Sequence, residues 1–340
     1  MQLRRPFDAH VHLRDGSMLT AVAPHTAEHC AAALVMPNLV PPVTTRAIAQ
    51  AYQARIADAA PDAFQALLTV YLTDGIAADE VVAGFVAGDW VAAKLYPAHA
   101  TTNSAHGVSD IQGLLPVLEA MAEVGMPLCV HGEVTDPSVD IFDREAVFLK
   151  TILGPLLQQL PTLRVIVEHA TTAAAVDFVQ HHADRVAMSI TAHHLWWNRN
   201  ALFDGGLRPH AYCLPVLKRE TDREALVRAA TSGAANVFFG TDSAPHLIGR
   251  KETDCGCAGV FSSPTAVATV AEVFDNANAL AHLEAFLSLN GPAWYGQKPS
   301  EDRITLRKQP TTAAAELATP EGPVRIFRGG ETLRYAVSAE

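Results

Sequence analysis

The sequence predicts an α/β protein of the (β/α)8 TIM-barrel class with a small C-terminal extension. Short apolar runs alternate with longer segments of helical periodicity along most of the 340 residues, a pattern typical of parallel sheets. Eight such runs occur, which is the number that closes a barrel. No linker rich in Gly, Ser or Pro divides the chain, so a single closed barrel is favoured over an open sheet or two domains.

The predicted strands are the short apolar runs, and the predicted helices lie between them. We place the strands at residues 3–12, 32–37, 64–72, 91–95, 126–131, 164–169, 186–190 and 236–241. Helical periodicity covers 46–60, 111–124, 173–182 and 222–232, with weaker patterns at 20–29 and 77–88. Because strand–helix–strand crossovers are right-handed, every strand should end at the same mouth of the barrel.

The end of the chain differs in composition from the rest. Residues 1–298 are expected to form the barrel and to carry the candidate site residues. Residues 299–340 are polar, with short apolar runs at 304–306, 324–327 and 333–337. We expect this segment to form small strands packed on the barrel as an extension.

Composition excludes several classes of function. The formal net charge of −11 argues against a nucleic-acid or anionic-membrane surface, since both need basic patches. No apolar run reaches the roughly 18–20 residues of a membrane span, and the N-terminus has no apolar signal core. Five cysteines, an odd number in a long chain, indicate free thiols and a cytoplasmic location. An anionic small molecule is still possible as a substrate, because one metal or arginine can dominate locally.

Polar side chains lie within or at the ends of five of the predicted strands. His10 and His12 are two residues apart, so in an extended strand they point the same way. Barrel active sites lie at the mouth where such strands end. The other members of this group are Lys94, His131, His169 and Asp242. Four imidazoles and a carboxylate suit zinc or another borderline divalent ion.

Lys94 is the unusual member of the group. Its ammonium would be repelled by a metal, and a buried unpaired ammonium is costly. Carbamylation by carbon dioxide would turn it into an anion with two oxygen atoms, able to bridge two metals. Taken alone, Lys94 is better interpreted as a core lysine paired with Asp or Glu.

The arrangement resembles the amidohydrolase superfamily, and within it the dihydroorotase family of the short, bacterial-type class. His-x-His alone is a weak signal, but an ordered set of motifs running from residue 8 to about residue 296 is highly specific. The motifs are Asp8-Ala-His-Val-His-Leu-Arg-Asp-Gly16, Met36-Pro-Asn38, Lys94-Leu-Tyr-Pro97, His131-Gly-Glu133, Glu168-His-Ala170, Thr191-Ala-His-His194, Gly240-Thr-Asp-Ser-Ala-Pro-His246 and Cys255-Gly-Cys-Ala-Gly259.

The resemblance implies a two-zinc centre. His10, His12 and Asp242 would hold one ion and His131 and His169 the other, bridged by a hydroxide and by Lys94 as N6-carboxylysine. Asp242 would also be catalytic, passing a proton from the hydroxide to the departing amide nitrogen. The implied reaction is the reversible interconversion of N-carbamoyl-L-aspartate and (S)-dihydroorotate in de novo pyrimidine (UMP) biosynthesis. The family also implies a homodimer.

The substrate of that family carries a carboxylate outside its ring. Arg14, two residues past His12, is placed to bind this group through a bidentate pair. The resemblance extends the predicted substrate contacts to Asn38, His246 and His131, the main chain of Leu214, Ala258 and Gly259, and Thr101 and Thr102 on a mobile lid at 99–103.

Several alternatives remain open at this stage. A single barrel histidine is more often a hydrogen-bonded core residue than a ligand, and Arg14 and Asn38 would also fit a surface ion pair and a turn. Another cyclic amidase, such as a dihydropyrimidinase- or allantoinase-like enzyme, would share the metal core without needing a carboxylate clamp. A non-catalytic scaffold is a further alternative, although such a protein would be expected to lose ligands.

Three other patterns are interpreted structurally. His25-Thr-Ala-Glu-His29 matches the H-x-x-E-H metalloprotease pattern, but it should lie on an outer helix. Cys255-Gly-Cys257 lacks a partner pair for a zinc knuckle, so a glycine-bearing loop is favoured. The pair Trp196-Trp197 suggests loop packing and not base stacking, since the chain is acidic.

Overall fold

Eight consecutive parallel strands form the centre of the molecule, as a computed structural model describing residues 1–339 shows. They follow one another around the barrel in chain order, which confirms the predicted (β/α)8 TIM-barrel class. After a short strand β1 (Gln2–Arg4), the barrel strands are β2 (Phe7–Val11), β3 (Ala32–Val35), β4 (Gln65–Tyr71), β5 (Ala92–Leu95), β6 (Leu128–Val130), β7 (Val165–Val167), β8 (Val186–Ile190) and β9 (Val237–Phe239).

Hydrogen bonds between the first and last barrel strands bring the ends of the sheet together. The amide of Asp242 donates to the carbonyl of His10 at 2.8 Å, and the amide of His12 donates to that of Ser243 at 3.1 Å. The carboxylate of Asp8 accepts from the amide of Thr241 at 2.7 Å and from its hydroxyl at 2.6 Å. These bonds place the His-x-His motif directly beside Asp242.

The helices cover the outside of the barrel, and all six predicted helices occur. Thr45 and Thr172 cap α2 and α7, since each hydroxyl accepts the amide three residues on. The helices are α1 (Gly16–His29), α2 (Arg46–Ala59), α3 (Ala78–Ala87), α4 (Leu115–Glu123), α5 (Arg144–Phe148), α6 (Gly154–Gln159), α7 (Ala173–His181), α8 (Ala192–Trp196), α9 (Glu220–Thr231), α10 (Ile248–Lys251), α11 (Ala266–Asn276) and α12 (Asn290–Trp294).

Two predicted boundaries differ from the structure, and proline explains both. The run at 3–12 is two strands, because Pro6 cannot donate to a ladder and β1 leaves the barrel before it. The helix predicted at 111–124 begins only at Leu115, with Pro116 in its first turn. Proline is well accommodated there because the first amides of a helix have no partner within it.

The C-terminal segment forms short antiparallel strands and recruits the start of the chain. β1 pairs with β10, and β10 pairs with β15, so the first and last strands share one three-stranded sheet. Leu3 and Ile304 are fully buried where β1 and β10 pair. The strands of this segment are β10 (Arg303–Arg307), β11 (Thr311–Thr312), β12 (Glu316–Thr319), β13 (Gly322–Arg325), β14 (Thr332–Leu333) and β15 (Ala336–Ala339).

Two apolar layers position the mouth of the barrel. A large layer lies between the strands and the helices. A smaller cluster fills the barrel interior and includes Ala92, Cys129 and Phe238. Because strand side chains alternate, Lys94 and His131 point to the same interior side as Ala92 and Cys129, one step closer to the mouth. The buried floor therefore ends in a ring of polar groups.

The first barrel strand, β2, contributes side chains to this polar ring through a β-bulge. Its pairing with β3 shifts register between Asp8 and Val11. Ala9 belongs to the interior cluster, whereas Val11 and Leu13 belong to the outer layer. The irregularity lets His10 and His12 face inward above Ala9, which is how bulges re-aim side chains beside active sites.

No helix among residues 1–339 is long and apolar enough to span a lipid bilayer. All five cysteines lie in this range, and each is a free thiol.

Candidate metal centre and substrate pocket

His10, His12 and Asp242 form a compact buried group at the mouth of the barrel. One ligand atom from each lies within 4.8 Å of the others. Oδ1 of Asp242 is 3.0 Å from Nε2 of His12 and 3.4 Å from Nε2 of His10. These residues are far apart in the sequence, and closure of the barrel brings them together.

His131 and His169 lie beside this group. Their ring centroids are 4.8 Å apart, and those of His169 and His10 are 5.0 Å apart. All are at most a few per cent exposed. His169 and Asp242 have φ of +41° and +43°, a left-handed conformation that non-glycine residues adopt at a cost and that clusters at functional sites.

Lys94 is buried without a hydrogen-bonding partner. Its side chain has no exposure to solvent, and none of the described residues pairs with Nζ. Burial lowers the pKa of the amine, although the charges of Glu168 and Asp242 oppose this effect. Nζ lies 4.9 Å from the centroid of the Tyr96 ring. A core ion pair, the alternative open at the level of sequence, is not formed.

Burial and neighbouring charges set the protonation of this group. Burial lowers the pKa of His12 to about 4 and that of His169 well below its usual range. Burial alone would raise the pKa of Asp242, but the hydrogen bond from His12 and the adjacent imidazoles hold it well below normal. Neutral imidazoles and an ionised carboxylate are the forms that bind metals.

Outer partners orient the imidazoles. Nδ1 of His10 is 2.8 Å from Oε2 of Glu168, and Nδ1 of His12 is 2.8 Å from Oδ1 of Asn38. Nε2 of His131 is 2.8 Å from Oε2 of Glu133. Such partners fix the ring and tautomer of a metal ligand. Sequence reasoning gave no role to Glu168 or Glu133, although each lies within two residues of a candidate ligand.

The chemistry of these side chains fits a divalent metal centre. Nε2 of His10, Nδ1 of His169 and Nζ of Lys94 are buried polar atoms without a hydrogen-bonding partner among residues 1–339. Buried polar atoms in native proteins are normally paired, and histidine nitrogens are common metal ligands. A carboxylate and four imidazoles converge on the same space, so the residues present suit the ion that the sequence suggested.

A narrow cavity of about 20 Å³ opens beside this group and is lined by most of the predicted substrate contacts. Arg14 enters it with Nη2 3.1 Å from Nε2 of His246 and with Nε donating to the carbonyl of Pro245 at 3.3 Å. His246 itself lines an adjoining cavity. The predicted contacts on the narrow cavity are Arg14, Asn38, Thr101, Thr102, His131, Leu214, Ala258 and Gly259.

The segment 99–103 covers this cavity. The hydroxyl of Thr102 donates to the carbonyl of Ala258 at 3.3 Å, and the Thr102 carbonyl accepts from Nδ2 of Asn38 at 3.1 Å. Nδ2 of Asn103 donates to the Asn38 carbonyl at 3.0 Å. The predicted lid is therefore closed in this structure, which accounts for the small cavity.

Gly259 is needed for the shape of the pocket. Its φ of +148° excludes other residues, and a Cβ would lie 2.6 Å from the Ala244 carbonyl oxygen. Its amide donates to Tyr212 at 3.0 Å, and its carbonyl accepts from Lys251 at 2.6 Å. Gly259 lines the narrow cavity, and the hydrogen bond predicted between its main chain and a substrate ring stays a prediction.

The other patterns noted in the sequence lie elsewhere. Within residues 1–339, neither His25 with His29 nor Cys255 with Cys257 belongs to a group able to hold a metal. The guanidinium of Arg328 lies 3.9 Å from the centroid of the Trp196 ring. Trp197 packs edge-on against Phe327 at 4.6 Å, so the tryptophan pair serves loop packing.

Comparison with known proteins identifies relatives of the whole chain. A model of the amidohydrolase family matches residues 7–300. A protein named dihydroorotase from Rhizobium meliloti is 55% identical over 340 residues, covering 99% of this chain and 98% of its own.

Solved structures of similar proteins share the same architecture. Dihydroorotase from Saccharomyces cerevisiae in complex with 5-fluoroorotic acid has a TM-score of 0.93 at 32% identity, covering 100% of this chain and 98% of its own. Dihydroorotase from Campylobacter jejuni has a TM-score of 0.91 at 36% identity, with 99% and 97% covered.

Proposed function

This chain belongs to the amidohydrolase family and, within it, to the dihydroorotases, and from that premise we propose its substrate and mechanism. It interconverts N-carbamoyl-L-aspartate and (S)-dihydroorotate reversibly, a step of pyrimidine (UMP) biosynthesis. The observation that carries the proposal is the convergence of His10, His12 and Asp242 beside a pocket that Arg14 enters.

We propose that the centre holds two zinc ions. His10, His12 and Asp242 would hold one, His131 and His169 the other, and carboxylated Lys94 would bridge them. When bound, such ions lower the pKa of a shared water towards neutrality and polarise the amide carbonyl of the ring. The neutral imidazoles of His12 and His169 and the ionised carboxylate of Asp242 support this assignment.

We propose that Lys94 becomes carboxylated, and its surroundings support this. Burial lowers the pKa of its amine, which favours the neutral form with a free electron pair. That pair attacks the carbon of carbon dioxide, a bond forms between Nζ and carbon, and one proton leaves. The product is a carbamate anion with two oxygen atoms. It replaces an amine, whose protonated form would repel metals, by a ligand that attracts them.

Asp242 is the proposed proton carrier. Its pKa lies well below the usual range, so the carboxylate is free to accept a proton from the attacking water. It then gives this proton to the ring nitrogen as the amide bond breaks. His12, whose Nε2 is 3.0 Å from this carboxylate, would hold the same ion beside it.

Arg14 is the proposed anchor for the substrate carboxylate. Its guanidinium is held by Pro245 and His246, which leaves its fork ordered for a planar anion. The yeast relative was solved with 5-fluoroorotic acid, a ring compound that carries a carboxylate. Asn38, His131 and His246, with the main chain of Leu214, Ala258 and Gly259, would complete the pocket.

The lid excludes water during the reaction. Thr101 and Thr102 line the cavity, and Thr102 joins the opposite loop through the carbonyl of Ala258. A closed lid strengthens electrostatic interactions within the pocket and prevents loss of reactive groups to solvent.

We further propose that residues 1–298 form the catalytic barrel, that 299–340 form an extension packed on it, and that the enzyme works as a cytoplasmic homodimer.

The competing hypothesis is a cyclic amidase for uncharged rings, such as dihydrouracil or allantoin. Turnover of dihydroorotate, dihydrouracil and allantoin by the zinc-loaded protein separates the two. Our proposal predicts strong preference for dihydroorotate, because only this ring offers a carboxylate to Arg14. Preference for an uncharged ring would contradict it.

A further inference from the structure

A second cluster of potential metal ligands lies after barrel strand β8 and is not used by the proposed reaction. His193 and His194 belong to α8, and Cys213 comes from a loop that is distant in sequence. All three are at most 2% exposed. One ligand atom from each lies within 4.8 Å of the others.

Three atoms of this cluster already have the spacing of ligands around one ion. Sγ of Cys213 is 3.6 Å from Nε2 of His194. The carbonyl oxygen of Pro215 is 3.1 Å from the same nitrogen and 3.4 Å from the sulfur. Around tetrahedral zinc, bonds of about 2.0–2.3 Å place neighbouring ligands roughly 3.3–3.7 Å apart. The two distances to sulfur fall in this range and the nitrogen–oxygen distance of 3.1 Å is slightly shorter, so the triangle is close to three corners of such a site.

His193 supplies the missing corner. Both nitrogens of its ring are buried, and neither has a hydrogen-bonding partner among the described residues. A buried ring that satisfies neither nitrogen is unusual and costly. Burial also lowers the pKa of His193 to about 4, so the imidazole is neutral and has a free electron pair. The ring lies against that of His194, with centroids 4.5 Å apart.

We propose that His193, His194 and Cys213 bind a single zinc ion, or a similar borderline-soft divalent ion, with the carbonyl of Pro215 as the fourth ligand. A site of two imidazoles and one thiolate suits zinc and disfavours magnesium or calcium. All four positions are filled by protein, which is typical of a structural site. The ion would tie α8 to the loop that carries Leu214.

Binding requires the loss of one proton and the movement of another. Nε2 of His194 donates to the Pro215 carbonyl, and the neutral imidazole frees this nitrogen for the ion by carrying its proton on Nδ1 instead. The hydroxyl of Thr191, 2.8 Å from Nδ1, then accepts from Nδ1 and orients the ring. Burial raises the pKa of the Cys213 thiol to about 12, so its proton leaves only as the metal–sulfur bond forms. Affinity should accordingly increase with pH.

A neighbouring cavity lies on the Phe327 side of this cluster. It has a volume of about 620 Å³ and is lined by Trp197, Ala211 and Phe327, among others. The Phe327 ring stands edge-on to His193, with centroids 6.1 Å apart. Phe327 therefore lies against both the cavity and the cluster.

Cobalt(II) titration of the metal-free full chain tests the proposal. The catalytic centre contains no sulfur, so a near-ultraviolet cobalt–thiolate charge-transfer band reports the second site alone. We expect this band in the wild type, and one more ion bound per chain than in Cys213→Ser. His193→Asn keeps the thiol but should also bind one ion fewer, and it provides the test should Cys213→Ser fold poorly.

The matched control is the double variant Cys255→Ser/Cys257→Ser, which removes the thiols outside the cluster that are accessible to solvent. It should keep both the band and the wild-type number of ions. The proposal is overturned if the wild type shows no thiolate band, if His193→Asn binds as many ions as the wild type, or if the band disappears only in the control. None of these results depends on dihydroorotate turnover, so they test the second metal site independently of the proposed function.

Discussion

His12 and Asp242 lie 230 residues apart in the sequence, yet Nε2 of one is 3.0 Å from Oδ1 of the other. His12 follows the first barrel strand and Asp242 follows the last, so this contact exists only because the barrel closes. The same bond keeps Asp242 ionised. Closure of the barrel therefore also lowers the pKa of Asp242, the candidate base, because it brings His12 beside the carboxylate.

Asp242→Asn should abolish most of the catalysis with little loss of substrate binding. The amide keeps an oxygen near His12 but cannot carry a proton, and general base catalysis contributes about 10²–10⁴-fold. We expect kcat for dihydroorotate to fall by that factor while KM changes by less than about threefold. Steady-state kinetics on metal-loaded protein checks this, and a kcat within tenfold of wild type would exclude Asp242 as the proton carrier.

Lys94→Met should separate stability from activity. Methionine has a similar length and removes a buried amine that has no partner, so the unfolding midpoint of metal-free protein should stay equal or rise. Loss of the bridging ligand should reduce turnover on the order of a thousandfold or more. Thermal unfolding, metal analysis and kinetics are measured on one preparation. A fully active variant would refute the bridging role of Lys94.

Arg14→Ala should weaken substrate binding and leave the metal centre intact. A hydrogen bond to a charged group contributes about 1.5–3 kcal/mol, so KM for dihydroorotate should rise roughly 10- to 150-fold. Metal content should equal that of the wild type, because the guanidinium of Arg14 donates to Pro245 and pairs with His246, and neither is a candidate metal ligand. Unchanged KM would remove Arg14 from the clamp.

Glu168→Gln should act through His10. The carboxylate lies 2.8 Å from Nδ1 of His10 and also accepts from Ser189, so it orients the ring and raises its basicity. Loss of such a partner lowers metal affinity by about 10- to 100-fold. Competition with a chelator measures this affinity. Ser138→Ala, at an exposed position, serves as a control that should leave it unchanged.

Lys251 predicts a pH-dependent stability. Its ammonium donates to the carbonyls of Tyr212, Cys257 and Gly259, and burial lowers its pKa from 10.5 to about 8. The unfolded chain binds the proton more tightly, so the free energy of unfolding should rise as pH increases from 8 to 10.5.

The variant Lys251→Met isolates this contribution. Relative to it, the wild type should gain up to about 3 kcal/mol across that range, as measured by urea unfolding at several pH values. A difference between the two proteins that stays constant with pH would contradict the depressed pKa.

Sequence patterns were sufficient for the barrel and for most of its mouth. Alternation along the strands directed Lys94 and His131 inward, because each is two residues beyond an interior side chain. The alternation fails at His169, which follows the inward-facing Glu168 and reaches the site only through a φ of +41°. Such a conformation is set by the surrounding tertiary structure, and local sequence does not encode it.

Contacts between loops that are distant in sequence could not be predicted from the sequence either. His193 and His194 stood in a recognised motif, but Cys213 joins them from the other side of a turn. In the same way, Asp8 precedes the first ligand by two residues, yet its partner Thr241 becomes visible only when the barrel closes. Spacing in sequence identifies candidates, whereas the fold decides their partners.

The central claim is that one buried cage at the barrel mouth holds two metal ions around Lys94. A crystal structure of zinc-loaded protein, with anomalous scattering recorded on both sides of the zinc edge, tests it most directly. We expect two anomalous peaks between His10, His12, His131, His169 and Asp242. We also expect additional density beyond Nζ of Lys94 that links the two peaks. A barrel mouth without a zinc peak, or with Lys94 ending at an unmodified amine distant from the metal, would contradict it.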